Sequence, residues 1–239
     1  MSYISLDSST SSTTVVVFDK DLNIQKKFQK EHRQIHTSEG FVEHDLEEIY
    51  NNLIELIKKA AEIAPDPQLI SITNQRETFT LFDKLTGKPV RNAVVWQCTR
   101  GEEICEKILN NKEYSELITQ KTGLKANTFF SASKLKWVIE NEPHIKEGLI
   151  KGNILFGTVD TYLLYRLTKC KEYATDTTNA SRTLLFNCID NRWDNELFSI
   201  FEIEQFKLAS VKSSSSNFGS SNFENNFSKE IPISGVAGD

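Results

Sequence analysis

Residue types that can do chemistry come together at a few points along this 239-residue chain. Asp7 opens the hydroxyl-rich run Asp7-Ser8-Ser9-Thr10-Ser11-Ser12-Thr13-Thr14. The backbone N–H groups and hydroxyls of such a turn can donate to phosphate oxygens. The adjacent carboxylate can hold Mg²⁺ directly or through water. The run is not a Walker A loop, because no Gly-Lys-Ser/Thr follows it. Arg76 and Glu77 set a rigid fork of donors beside a carboxylate acceptor, a pair able to grip neighbouring hydroxyls of a polyol. Trp96 can lay an aromatic face on the apolar C–H edge of such a molecule. Asp239 follows Gly238, a residue that lets backbone approach a ligand closely. Its carboxylate could take the proton of a hydroxyl attacking a phosphoryl group. Each feature also has a plainer reading: a polar hairpin tip, a surface ion pair worth ~0–1 kcal/mol, a core indole, and a charged chain end.

The elements that must position these residues follow from periodicity. Tyr3–Leu6, Val15–Phe18 and Ile24–Gln29 read as strands joined by short turns, an antiparallel meander unlike the strand–helix crossover of a parallel sheet. A helix starts after Asp45, with Glu48 completing a capping-box-like pattern. Ile49, Leu53, Ile57 and Ala60 line its buried face, and Pro65 ends it. Leu69–Thr73, Thr78–Phe82 and Ala93–Trp96 are strands. Helices are expected at Arg100–Leu109, Glu113–Gln120 and Ser131–Glu142, the last closed by Pro143. Ile154–Phe156 is a strand, Thr158 caps a helix, Thr183–Phe186 is extended, and Asp194 caps a short helix to Phe201. Ser213–Ser228 falls into Ser, Asn and Phe and reads as a flexible surface loop. Ile231–Ser234 is a strand that runs into a glycine turn. The sum is a mixed α/β domain with antiparallel first three strands, a pattern that suits the ribonuclease-H-like lobe of the actin and sugar-kinase ATPase superfamily. A dinucleotide-binding fold is a poor fit, since no G-x-G-x-x-G follows the first strand.

The bulk numbers describe an ordinary globular chain, 38% hydrophobic and 26% charged, with a formal net charge of -5 and a sequence pI of about 5.5. Such a surface does not draw in nucleic acid through its overall field. No apolar run approaches the ~20 residues of a membrane span. The N-terminus lacks a secretory pattern, so a cytoplasmic location is expected. Cys98, Cys105, Cys170 and Cys188 lie far apart with no histidine at ligand spacing, which favours reduced, structural thiols over a metal site.

In their order along the chain, these signals resemble the FGGY carbohydrate kinases and, within them, the glycerol kinases. The resemblance covers about Tyr3 to Asp239. It is carried by Gly40-Phe41-Val42-Glu43-His44-Asp45, Ile72-Thr73-Asn74-Gln75-Arg76-Glu77-Thr78 and Asn92-Ala93-Val94-Val95-Trp96-Gln97-Cys98. Phe156-Gly157-Thr158-Val159-Asp160-Thr161, Thr178-Asn179-Ala180-Ser181-Arg182-Thr183 and the signature-like segment Phe129–Asn141 add to it. It implies ATP-dependent phosphorylation of a primary hydroxyl of glycerol, with Mg²⁺. By that resemblance Asp7, Thr10, Ser11 and Ser12 face the ATP phosphates and Asp7 the metal. Arg76, Glu77, Trp96, Phe129 and Asp239 hold glycerol, and Asp239 is the general base. The resemblance also allows a homo-oligomer of the complete enzyme.

The chain departs from the pattern in several places. Phe129 stands where these kinases usually have Tyr, Ser9 where many have Gly, and Thr14 where a basic residue is common. The expectation is therefore that residues 1–239 form the N-terminal substrate-binding domain. The C-terminal ATP-binding domain and the Gln that would follow Asp239 are expected to be absent, so that the chain alone would be weak or inactive. A kinase for another polyol or ketose, or a non-catalytic glycerol-binding remnant, are the alternatives.

Overall fold

The computed structural model describes residues 1–239. The meander is β1 (Ser2–Ser8), β2 (Ser12–Asp19) and β3 (Ile24–Glu31). The short β4 (Ile35–His36) and β5 (Val42–His44) lead into α1 (Leu46–Ile63). Asp45 caps that helix by accepting from the Glu47 and Glu48 N–H groups. The Glu48 carboxylate does not complete a capping box; it takes a bond from Arg33 instead. Then come β6 (Ile70–Asn74), β7 (Phe79–Asp83) and β8 (Ala93–Val94). Four helices follow: α2 (Glu102–Asn110), α3 (Lys112–Thr122), α4 (Ser131–Asn141) and α5 (Pro143–Ile150). Next are β9 (Ile154–Thr158), α6 (Val159–Leu167), β10 (Ala174–Asp176) and α7 (Thr177–Ala180). The chain finishes with β11 (Phe186–Asn187), β12 (Arg192–Trp193), α8 (Asn195–Ile200), β13 (Ser210–Lys212), β14 (Ser220–Ser221) and β15 (Ile231–Gly238).

Two sheets organise the molecule. The first is mixed, in the order β14-β15-β6-β1-β2-β3, with β1 and β15 both parallel to the central β6. The second, β4-β5-β8-β7-β9, is antiparallel throughout. One apolar core joins α1 and α6 to the first sheet; the other packs α4, α5 and α8 with the second. Residues between β6 and β7 cross from one sheet to the other. Because β1, β6 and β15 run the same way and in register (Ser8 opposite Asn74, Asn74 opposite Gly238), their carboxyl ends meet at one edge. Ligands of sheets with parallel strands collect beyond such ends. No helix is long and apolar enough to cross a membrane.

The structure corrects several expectations. Ser213–Ser228 is not a loose surface loop: Phe218, Phe223 and Phe227 are buried in the first core, and Ser220–Ser221 pair with β15. β15 does not turn at Gly235 but continues to Gly238, the register shift between Ile233 and Gly235 absorbing an irregularity. Pro143 opens α5 at its first turn, where a missing N–H costs nothing, rather than only closing α4. Within Thr183–Phe186 only Phe186 joins a strand. Thr158 precedes α6 without capping it, since its hydroxyl bonds to the Asp160 carboxylate.

Candidate functional site

The edge where β1, β6 and β15 end holds a cleft of about 270 Å³, lined by Thr10, Gln75, Arg76, Glu77, Trp96, Phe129, Arg182 and Asp239. Gln75–Thr78 emerge from β6 in a tight turn closed by the Thr78 N–H on the Arg76 carbonyl at 2.7 Å. Glu77 sits in that turn with φ 63°, in the left-handed region. Ser131 donates to its carbonyl at 2.9 Å, and Arg182 Nε donates to its Oε1 at 2.6 Å. These bonds fix a strained residue from both ends.

Asp239 hangs off β15, its N–H on the Asn74 carbonyl at 3.1 Å. Its Oδ1 stands 3.8 Å from Arg76 Nε. Gly238 makes this approach possible. A Cβ there would lie 2.4 Å from Arg76 Cγ, so any larger residue would push the guanidinium aside. Below, Asn74 and Asn179 exchange side-chain bonds at 2.9 and 3.2 Å, tying β6 to α7.

Trp96 and Phe129 form the apolar wall, edge to face with centroids 5.7 Å apart. Phe129 is 51% exposed, so its ring faces open space at the rim. The wall hangs from Lys134, a buried ammonium donating to the carbonyls of Trp96, Thr128 and Phe129. Burial drives the Lys134 amine down to about 7, against the upward pull of Cys98, Glu77 and Cys105.

On the other side, the turn between β1 and β2 presents Thr10 to the cleft. The Thr10 and Ser11 N–H groups take no backbone acceptor, so they can donate outward. Ser11 is exposed, whereas Ser12 points elsewhere: it is buried and its hydroxyl accepts from Gln29 at 2.9 Å. Asp7 Oδ2 accepts from Ser9 at 2.8 Å, but its buried Oδ1 has no partner. Desolvation raises the Asp7 carboxyl above its ordinary value, and the Asp239 carboxylate pushes the same way. A carboxylate with a partnerless oxygen, near enough to Asp239 to feel its charge, fits a hard divalent cation held by oxygen ligands.

The family model for the N-terminal domain of FGGY carbohydrate kinases matches residues 2–239. The chain belongs to the FGGY family of carbohydrate kinases. Glycerol kinase 2 of Thermotoga maritima is 46% identical over 244 residues, 100% of this chain and 49% of that protein. The glycerol kinase of Thermococcus onnurineus is 47% identical over 240 residues, 99% and 48%. The crystal structure of Plasmodium falciparum glycerol kinase with ADP superposes with a TM-score of 0.93 at 38% identity, covering 100% of this chain and 48% of that one. A gluconate kinase from Lactobacillus acidophilus, 20% identical with a TM-score of 0.88 over 100% of this chain and 48% of its own, shares the fold. The chain thus spans about half the length of the curated relatives it matches. Its architecture is the ribonuclease-H-like lobe of the actin and sugar-kinase superfamily, with the first three strands antiparallel.

Against this FGGY frame, the structure brings Thr10, Arg76, Glu77, Trp96, Phe129 and Asp239 into one cleft, with Asp7 close enough to Asp239 to feel its charge. The sequence alone assigns no site role to Arg182, Gln75 or Lys134. Arg182, Gln75 and Lys134 each lie inside one of the quoted FGGY-like segments, and that is the one available signal. Nothing local in the sequence shows that Arg182 lands on a carboxylate 105 residues away.

Proposed function

We propose that this chain forms the N-terminal, substrate-binding domain (residues 1–239) of a cytoplasmic glycerol kinase, which transfers a phosphoryl group from ATP to a primary hydroxyl of glycerol. The observation that carries this reading is the single cleft in which two guanidinium groups, two carboxylates and an aromatic wall converge. Arg76 and Glu77 hold the hydroxyls, donor against acceptor. Trp96 and Phe129 cover the carbon backbone. Asp239 Oδ takes the proton as the glycerol oxygen bonds to the γ-phosphorus and the bond to the leaving ADP oxygen breaks. The Thr10 and Ser11 N–H groups and hydroxyls face the phosphates. Asp7, with its free Oδ1, would hold Mg²⁺, whose charge offsets that of the phosphate oxygens. Positioning and charge do most of the work in such a transfer.

Closure that excludes water is part of this chemistry, so residues 1–239 by themselves are expected to bind glycerol with negligible turnover. Calorimetry and melting curves with glycerol, together with glycerol-dependent ADP formation, test the reading. Glycerol binding that also raises the melting temperature supports it. Absence of glycerol binding would overturn it. A second reading, a kinase for another polyol or ketose, draws on the half-exposed Phe129, which brings no hydroxyl to the rim; preferential binding of a pentulose would favour it.

A further inference from the structure

Gln75, Thr78, Trp96 and Thr10 form a closed circuit of hydrogen bonds. Leaving β6, Gln75 straddles the turn after β1: its backbone N–H donates to the Ser8 carbonyl at 2.9 Å and its Nε2 to the Ser9 carbonyl at 3.2 Å. The Gln75 Oε1 accepts the Thr78 hydroxyl at 2.9 Å. Thr78 Oγ1 in turn accepts the Trp96 backbone N–H at 3.1 Å. The Trp96 indole Nε1–H reaches back to Thr10 Oγ1 at 3.0 Å, one residue beyond Ser9.

Each direction is dictated. A carbonyl oxygen only accepts, an amide or indole N–H only donates, and a hydroxyl has one hydrogen to give. The Ser9 carbonyl therefore places the Gln75 NH₂ on its side and the amide oxygen toward Thr78. The Thr78 hydroxyl spends its one hydrogen on that oxygen and is left to accept from Trp96. On the far side the same NH₂ meets His44 Nδ1 at 3.2 Å, and burial lowers His44 to about 3, so the ring stays a neutral acceptor there. Gln75 and Thr78 are buried at 1% and 0% exposure, without water to replace a lost partner. The turn that faces the phosphates and the wall that faces the polyol are thus joined twice, once by the indole and once through Thr78 and Gln75.

We propose that Thr78, which does not line the cleft, is a positioning residue that couples the aromatic polyol wall to the phosphate-facing turn, so that the two move as one body. The assignment of polyol and phosphate sides rests on the function proposed above; the mechanical coupling does not. Hydrogen exchange of the Trp96 indole N–H, read by NMR on the full 239-residue chain without ligand, tests it. Trp193, whose indole donates to the Ala209 carbonyl at 2.8 Å away from the circuit, is the internal control. Thr78→Val removes two bonds of the circuit, and if that frees the indole from Thr10 the Trp96 indole should exchange about 2- to 10-fold faster, the worth of its own one hydrogen bond. Trp193 should be unmoved, and Thr78→Ser should restore protection. Glycerol affinity should fall and recover in parallel. Unchanged Trp96 exchange in folded Thr78→Val would overturn the proposal. Should that variant not fold, Thr10→Val, at the partly exposed tip, probes the circuit from its other end. Faster exchange of the Trp96 backbone N–H would then support the coupling, and unchanged exchange would overturn it. A wild-type chain that binds no glycerol would count against the function proposed above, while the exchange data would still decide the coupling.

Discussion

Arg182 Nε donates to Glu77 Oε1 at 2.6 Å, joining a residue of the turn that follows β6 to one 105 positions later in the chain. The pair is mostly sheltered, with side chains 28% and 11% exposed. Glu77 also bears the cost of a left-handed backbone, about 1–3 kcal/mol for a residue other than glycine. Arg182 therefore orients the carboxylate and helps hold a conformation that the chain would otherwise relax.

Arg182→Ala should lower stability by about 1–3 kcal/mol, because it strips a largely buried acceptor of its charged donor. Urea unfolding measures this, and Arg182→Lys should recover only part of the loss, since an ammonium lacks the planar fork. Glycerol binding by the folded Ala variant should also weaken. An unchanged urea midpoint would show that Glu77 is held without Arg182.

Phe223 leads to a different outcome. It is fully buried in the first core with Phe218 and Phe227, and its ring meets Phe227 edge to face at 5.7 Å. Phe223→Ala should cost about 3–5 kcal/mol of stability. Glycerol affinity of the folded protein should not move, since this cluster is no part of the cleft. Unfolding curves paired with calorimetry separate the two effects; a near-neutral change would return the segment to the status of a loose loop.

Composition concealed that cluster. Phe218, Phe223 and Phe227 are five and four residues apart, and the five-residue step breaks the period of a strand and that of a helix alike. They are buried by turns, one of them fixed by Ser221, whose hydroxyl donates to the Leu167 carbonyl and accepts from the Phe223 N–H. By contrast β1, β2 and α1 were legible because alternation, helical spacing and the Asp45 cap all agree locally. The site was legible in its residue types but not in its assembly. Asp7, Arg76 and Asp239 come together only because three parallel strands end at one edge, and the pairing of β15 with β6 joins Asn74 to Gly238 across most of the chain. Ordered motifs hinted at that edge, whereas spacing alone could not.

Lys134 makes stability depend on alkaline pH. Its amine falls from an ordinary 10.5 to about 7 through burial. Between those values the unfolded chain carries a proton that the folded chain has released. Unfolding then takes up protons, and stability from this group rises with pH. The penalty of the buried charge is complete below about pH 7 and fades towards 10.5. Lys134→Met should be less stable, because three carbonyls lose their donor, and its stability should lack the rise that the wild type shows from pH 7 to about 10. Denaturant unfolding across that range measures both slopes, and parallel slopes would sink the assignment.

Phe129 tests the choice of substrate. Its carbonyl is anchored by Lys134 at 2.8 Å and its ring rests against Trp96, yet half of it opens on the cleft rim. Members of the family that phosphorylate glycerol are expected to carry a Tyr hydroxyl at this place. Phe129→Tyr keeps the ring and adds one donor and acceptor, so glycerol should bind about 2- to 10-fold more tightly, the range of one neutral hydrogen bond. Phe129→Ala should weaken binding instead by removing the wall. Calorimetry with glycerol and with a pentulose on both variants provides the comparison. If Tyr leaves glycerol unaffected but weakens the pentulose, the bare phenyl ring is a feature of a different substrate, and the glycerol reading gives way to it.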